Sequence, residues 1–436
     1  MAHAASRLTG LVEELFGAPL PLRVRAWDGS ESGPPGTPVL VVRHRRALRR
    51  LLWQPDELGL VRGWVAGELD VEGDLYTALE LLTCVVPDDG APAGTSRKLS
   101  WPRALLDPGL RAAVRGLIGL AGPLPPPAPP AEEVRRRSGS SHTKRRDRQA
   151  ISHHYDVGNA FYEKVLGPSM VYSCAYWEAG GTLEEAQRAK LDLVCRKLAL
   201  RPGQRLLEVG CGWGSMAMHA AAEYGARVTG VTLSREQAAH ARKRIADAGL
   251  TDLIDIRVQD YRDVDDGPYD AISSIGMAEH VGSVRYQEYA ERLHRLLVPG
   301  GRLLNHQIAR RPERDESAYQ VDTFIDHYVF PDGELSPVGA TVGALETAGF
   351  EVRDVESIRE HYALTLRRWV ANLEDGWLTA VRHSSPGRAR VWRLYMAASA
   401  LAFECNRIGV NQIMAVKTAP NGSSGLPLRT RTWTAD

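Results

Sequence analysis

The chain is short of several things that would have assigned it quickly. Its 436 residues contain five cysteines, Cys84, Cys174, Cys195, Cys211 and Cys405. They form an odd, scattered set without CxxC or Cys/His ligand spacing, which speaks against a disulfide framework and against a metal site. No long uncharged apolar run of the kind found in a signal peptide or a spanning helix is present, so a cytoplasmic enzyme is the default expectation. Net charge is nearly absent as well. Fifty-four Lys and Arg against 53 Asp and Glu leave a formal +1. Bulk charge therefore gives no reason to expect a nucleic-acid partner, and any attraction to an anionic surface has to come from local patches. No internal repeat is evident.

What is present organises around Arg205 to Ser215, Arg-Leu-Leu-Glu-Val-Gly-Cys-Gly-Trp-Gly-Ser. Arg205–Val209 reads as a short buried strand after the turn-like Arg201-Pro202-Gly203-Gln204, and Ser215–Tyr224 reads as a helix. Gly210, Gly212 and Gly214 lie between them. A strand, a glycine turn and a helix N-terminus form a nucleotide-type site at the carboxyl edge of a parallel sheet. Dinucleotide sites usually read G-x-G-x-x-G. The spacing here is G-x-G-x-G, preceded by Glu208, and it resembles that of S-adenosylmethionine (SAM) methyltransferases. A bare glycine turn is the competing reading until other segments agree.

The rest of the chain divides at a seam. Pro123 to Pro130 is an extended, proline-rich spacer, followed by Arg135, Arg136, Arg137, Lys144, Arg145, Arg146 and Arg148. This cluster reads either as a solvated linker or as a contact for anionic head groups. Domains are accordingly expected at 1–120, an N-terminal α+β accessory unit associating with lipid, and at 151–436, the catalytic unit, with 121–150 as linker. In the first, Arg45, Arg46, Arg49 and Arg50 lie beside Leu48, Leu51, Leu52 and Trp53 on a helix. That pattern suits a membrane interface or a core-packed helix with solvated arginines.

Downstream, strands are expected at Arg205–Val209, Arg227–Leu233, Ile254–Gln259, Tyr269–Ile275, Gly301–Ile308, Phe350–Ser357 and Val410–Lys417. Helices fall between them at Ser215–Tyr224, Arg235–Ala248, Tyr286–Leu297 and Gly339–Ala348. The alternation predicts a doubly wound α/β sheet. Helical insertions at Tyr362–Leu373 and Arg388–Arg407 are placed to roof a pocket. The second strand ends in Thr232-Leu233-Ser234 without an acid for ribose hydroxyls, which makes Gln237 the polar partner. Asp260 and Tyr261 follow the third strand, where a carboxylate can accept the adenine amine; a helix cap and a core tyrosine are their plainer readings. His154 to Asn159 and Met170 to Trp177 read as a lid.

With the lid, the glycine turn, Thr232-Leu233-Ser234 and Gly276-Met277-Ala278-Glu279-His280-Val281-Gly282 taken together, the chain resembles the cyclopropane-fatty-acid synthases over roughly residues 150–417. The N-terminal unit resembles the accessory domain of the longer bacterial members. The resemblance implies a Rossmann-like class I SAM methyltransferase sheet with helical insertions. It also implies methylation of a cis double bond in an acyl chain of a membrane phospholipid, by a protein held peripherally at the inner face of the membrane.

The cofactor set it implies is Tyr172, Ser173, Glu208, Gly210, Gly212, Gly214, Thr232, Leu233, Gln237, Asp260 and Tyr261. The family also holds a bicarbonate ion, whose ligands map onto Cys174, Glu279, His306, Ile308 and Tyr362. His306, Tyr362 and the backbone N–H groups of Cys174 and Ile308 would donate to that anion, and Glu279 would accept from its O–H. Taken singly, Cys174 could be a small buried hydrophobe, His306 a satisfied core histidine and Tyr362 a packing residue.

Asn305 and Gln307 depart from some relatives and flank His306, so they are expected to bear on the product, cyclopropane or exocyclic methylene. The reading favours methylene, which a separate flavin- or nicotinamide-dependent reductase would convert to a methyl branch. A homodimer is a further partner considered. The alternatives are an N- or O-methyltransferase of a small metabolite, needing no anion cage, and a non-catalytic lipid- or SAM-binding module.

Overall fold

Strand formation follows burial closely. In the catalytic part, β-branched and leucine-rich runs with both faces covered form a central sheet, as expected where helices pack on either side. The computed structural model describes residues 3–16, 18–83, 108–122, 125–134, 143–144, 146–147, 158–429 and 431. These fall into two compact units. One contains the described residues of Met1–Arg136 together with His327–Val329 and Ser385–Leu401; the other contains the remainder of the chain.

The first unit is built from α1 (Ala4–Phe16), β1 (Arg23–Arg25), β2 (Glu31–Ser32), β3 (Val39–Val42), α2 (Arg46–Trp53), α3 (Glu57–Val65), β4 (Leu69–Glu72), α4 (Leu75–Thr83) and α5 (Pro108–Ala121). Its four strands run in the order β2-β1-β3-β4. Ala5, Leu8, Val24, Val42, Leu48 and Leu69 are part of its core. Arg50 is not the membrane-facing residue that its position beside three other arginines suggested. It is 6% exposed and bonds Glu68 through Nε at 2.8 Å and through Nη2 at 3.2 Å. A buried guanidinium needs such a partner because its charge is otherwise too costly to desolvate. Arg45 and Arg46 remain exposed, and Trp53 is 64% exposed.

The second unit opens with α6 (Asn159–Leu166) and α7 (Leu183–Leu198). Thr182 and Glu185 start α7 with a reciprocal capping box. Then come β5 (Arg205–Val209), α8 (Ser215–Tyr224), β6 (Arg227–Thr232), α9 (Arg235–Asp247), β7 (Ile254–Val258), β8 (Tyr269–Ile275), α10 (Tyr286–Leu296), β9 (Leu297–Arg310), β10 (Ser336–Pro337), α11 (Val338–Thr347), β11 (Glu351–Ser357), α12 (Arg359–Asp375), α13 (Trp377–His383), α14 (Pro386–Glu404) and β12 (Ile408–Val416). The strand order is β11-β12-β9-β8-β5-β6-β7, with β10 paired to β9. The five strands from β7 to β9 are mutually parallel, whereas β12 runs antiparallel to both β9 and β11.

The doubly wound sheet with its helical insertions is therefore present, and a smaller α+β unit accompanies it. One helix departs from chain order. Most of α14, read from the sequence as a roof of the catalytic pocket, is counted with the first unit. Among the described residues, no helix is long and apolar enough to cross a membrane.

Candidate active site

The glycine turn does what its spacing requires. Gly210, Gly212 and Gly214 all have positive φ, at 78°, 52° and 79°. Such a run is strained for any residue with a Cβ. Their surroundings differ. A Cβ at Gly212 would meet only Gln237 Nε2, 4.0 Å away, so this position faces open space. A Cβ at Gly214 would come within 3.2 Å of Ala241 Cβ, which makes Gly214 a helix-packing position.

A cleft opens at the carboxyl ends of β5, β6 and β8. Its lining includes Tyr172, Ser173, Glu208, Gly210, Gly212, Thr232, Leu233, Gln237, Asp260 and Tyr261. Ten of the eleven residues expected to hold the cofactor thus surround one cavity; Gly214 lies outside it. Thr232 Oγ1 donates to Gln237 Oε1 at 3.0 Å, and Ser234 Oγ accepts from the Gln237 N–H at 3.1 Å to cap α9. Asp260, expected at the adenine, lines the cleft and is also engaged within the protein. Its carboxylate already accepts from the Arg262 backbone N–H at 3.0 Å, from Nε at 2.8 Å and from Nη2 at 2.6 Å. Arg262 in turn bonds Asp147 at 2.8 Å. An adenine amine would share an acceptor that is already in use.

Lys190 was not singled out from the sequence, and Trp213, Met277 and His280 stood there only within motifs; all four line the same cleft. Trp213 stands inside the glycine turn itself, and its Nε1 donates to Asn159 Oδ1 at 2.8 Å. His154–Val157 of the expected lid lie outside the described residues. The Met170–Trp177 segment has neither helix nor strand. Gln187 on α7 donates to its Val171 and Ser173 carbonyls at 3.4 and 3.2 Å, and Thr365 on α12 accepts from the Ala175 N–H at 3.1 Å.

None of the five residues mapped to the anion lines the cleft. They adjoin it nonetheless: the Gly276 N–H, at the cleft wall, donates to the His306 carbonyl at 2.9 Å, and the lining residues Ser173 and His280 precede Cys174 and follow Glu279 in the chain. Glu279 Oε1 accepts from the Ile308 N–H at 2.8 Å, while Oε2 is buried without a hydrogen-bond partner. Contrary to expectation, the Ile308 N–H is therefore committed to Glu279 and is not an open donor for an anion. Burial raises the Glu279 carboxyl to about 7.

His306 is 2% exposed, and its Nδ1 lies 3.4 Å from Gln412 Nε2. Its Nε2 is buried and unbonded. Burial, reinforced by the charges of Lys190 and Lys197, holds the ring well below its ordinary range, so the imidazole is neutral. Cys174 Sγ donates to the Ala175 carbonyl at 3.2 Å and the Ile358 carbonyl at 3.6 Å. Burial pushes this thiol well up, so it is not a nucleophile. Tyr362 packs against Phe403 and Trp369, with ring centroids 4.8 and 6.0 Å away.

Asn305 and Gln307 do not share the His306 face. Side chains alternate along a strand, and these two point toward α10 and α11. Tyr289 OH is hydrogen-bonded with Ser274 Oγ at 2.6 Å and with Asn305 Oδ1 at 3.1 Å. Asn305 Nδ2 bonds Gln307 Oε1 at 2.6 Å, Gln307 Nε2 bonds Thr341 Oγ1 at 2.8 Å, and Tyr286 OH also bonds Gln307. Sequence adjacency to His306 was misleading, because the sheet separates them.

Of the basic cluster, Arg135, Arg136, Arg137, Arg145 and Arg148 lie outside the described residues. Lys144 pairs with Asp263 at 2.5 Å and Arg146 with Asp332 at 2.6 Å.

The chain has clear relatives among known proteins. The family model described as mycolic acid cyclopropane synthetase matches residues 142–413. A Mycobacterium tuberculosis protein named "Probable fatty acid methyltransferase" is 44% identical over 420 residues, 94% of each chain. A tuberculostearic acid methyltransferase of the same organism is 31% identical over 434 residues, covering 96% of this chain and 93% of its own. Among solved structures, a mycolic acid cyclopropane synthase complexed with SAH and CTAB superposes with a TM-score of 0.58 at 34% identity. That match covers 62% of this chain and 97% of the other.

Proposed function

Because the chain belongs to the mycolic acid cyclopropane synthetase family and is a SAM-dependent methyltransferase, we propose that it methylates the cis double bond of an unsaturated acyl chain in a membrane phospholipid. The observation that carries this reading is that Glu279 Oε2 and His306 Nε2 are each buried without a hydrogen-bond partner, while Glu279 bonds the Ile308 N–H two residues along the strand from His306. Buried polar atoms without partners are costly unless something fills the site. A neutral imidazole offers a donor and a carboxylate an acceptor, which together suit a bicarbonate ion.

SAM supplies an activated methyl group, and bicarbonate supplies a proton acceptor. The residues of the chain do the rest. The glycine turn would let the cofactor approach the main chain, and Tyr172, with ring centroids 5.9 Å from Tyr162 and 5.4 Å from Trp369, would help to keep water from the reacting alkene. The double bond would give its electron pair to the methyl carbon as the methyl–sulfur bond breaks and S-adenosylhomocysteine leaves as the neutral thioether, so that the positive charge passes to the second alkene carbon. Glu279, aimed by the Ile308 N–H, and His306, held neutral, would hold the anion, whose chemistry would be to accept one proton from that cation. Loss from the new methyl closes a cyclopropane; a hydride shift followed by loss gives a methylene.

We favour the methylene outcome, in keeping with a relative named for tuberculostearic acid methylation; a separate reductase would then complete a methyl branch. Access to lipid is proposed through the exposed Arg45 and Arg46 near Trp53 and through the Arg135–Arg137 run, which would hold the protein peripherally on anionic lipid.

The test is to express the chain in cells with oleoyl-type lipids and solve the acyl product by NMR. Cyclopropane and methylene acids have the same mass, so the olefinic and ring proton signals decide between them. Lipids unchanged despite SAM turnover on a small amine or hydroxyl acceptor would overturn the proposal.

A further inference from the structure

The cofactor cleft contains a cation that the reaction outlined above leaves without a task. Lys190, on α7, is 1% exposed and lines the cleft. Its Nζ donates to Ser173 Oγ at 3.0 Å. An ammonium has three N–H groups, and among the described residues this one enters no ion pair within 4.0 Å. Glu208 lines the same cleft, is 4% exposed and has a buried, unbonded Oε2. A buried basic group and a buried acidic group therefore line one cavity without forming an ion pair with each other.

Leaving an ammonium buried and unpaired is unfavourable, and a chain that keeps one in a ligand cleft gains when the ligand brings the countercharge. The amino-acid end of SAM carries one carboxylate and one ammonium. Resting on the SAM reading above, we propose that Lys190 binds the α-carboxylate of the cofactor while Glu208 takes its α-ammonium, so that the pair selects ligands with an intact zwitterion. Burial pulls Lys190 down to about 8 and pushes Glu208 up to about 8, and a zwitterion between them favours the charged form of each. The Ser173 contact adds a second effect. The residue held by Lys190 immediately precedes Cys174, so carboxylate binding would also fix the segment that carries Cys174.

Calorimetry with S-adenosylhomocysteine and with 5′-methylthioadenosine, which lacks the amino-acid end, tests this in the full-length chain. Lys190→Met removes the charge and the donor, and Lys190→Gln keeps a donor for Ser173 without the charge. Loss of a buried charge-assisted bond predicts that S-adenosylhomocysteine affinity falls about 10- to 100-fold in both. Methylthioadenosine affinity should stay within about twofold of wild type, which a merely structural role would not allow. If Lys190→Met does not fold, Lys190→Gln alone decides. Equal losses for both ligands, or no loss for either, would overturn the assignment. A wild-type chain that binds neither ligand would remove the SAM reading itself, and the assignment with it.

Discussion

Glu279 is aimed by a main-chain donor: its Oε1 accepts from the Ile308 N–H at 2.8 Å, and its buried Oε2 has no hydrogen-bond partner. An amide in its place would keep the shape but could present an N–H where only an acceptor now stands. Glu279→Gln should therefore lower methylation of dispersed lipid by about 100-fold or more, as removal of a preorganised charged group does. SAM affinity should change by less than about twofold, because Glu279 is outside the cofactor cleft. Single-turnover assays in bicarbonate-depleted and bicarbonate-supplemented buffer check this, and wild-type turnover of the variant in depleted buffer would remove the anion from the mechanism.

Gly212 is the turn glycine most open to a ligand, with φ at 52° and only Gln237 Nε2 near the place a Cβ would take. Valine there is strained and occupies the approach to the main chain. Gly212→Val should lose SAM binding by about 100-fold or more while far-UV circular dichroism is retained, the strain costing of order 1–3 kcal/mol in stability. Calorimetric affinity equal to wild type would take Gly212 out of the site.

Glu208 makes the apo-protein's stability depend on pH in a defined direction. Burial raises its carboxyl from 4.5 to about 8, against the opposing effects of Lys190 and of the Ala217 N–H. Between those values the folded chain holds a proton that the unfolded chain has released. Its contribution to stability is therefore full below about 4.5 and is lost as pH rises through about 8. Denaturant melts of wild type and Glu208→Gln should diverge over that window, the wild type losing up to about 1.4 kcal/mol per pH unit relative to the variant. A constant difference between the two would contradict the burial of this acid.

Gln307 joins Asn305, Thr341 and Tyr286 on the face of the sheet away from His306. Gln307→Leu should leave those partners unsatisfied and cost about 1–3 kcal/mol per stranded group. The ratio of methylene to cyclopropane product should be unchanged. A shifted ratio at unaltered stability would return Gln307 to the product-determining role suggested by its place in the chain.

The catalytic sheet was legible because its strands are buried runs with clear stops. Arg205–Val209 and Tyr269–Ile275 fall where the sequence placed them. Strand β9 starts at Leu297 and not at Gly301, since Pro299-Gly300-Gly301 reads as a turn while pairing to β8 already begins at Leu297. Lys190 was hidden because a lysine on an amphipathic helix usually reaches solvent, and only the packing of α7 shows that this one does not. Arg50 misled for the same reason, its partner Glu68 lying 18 residues away on no common motif. Asp260 was found as a cleft residue, but Arg262, two positions on, was not read as its partner. Face assignment within β9 follows from strand alternation alone, yet adjacency groups Asn305 and Gln307 with His306.

That alternation makes the pairing of β9 with β12 a quantity the chemistry depends on. Nine residue pairs, from Ile408 with Arg310 to Val416 with Arg302, hold β9 in one register. A slip of one residue would exchange the two faces at a stroke. Asn305 and Gln307 would enter the pocket beside Glu279, and the histidine would enter the tyrosine network. Insertions or deletions inside β9 should therefore never be graded in effect, whereas substitutions on either face can be. The strand acts as a ruler, and the length of its pairing with β12 keeps that ruler from sliding.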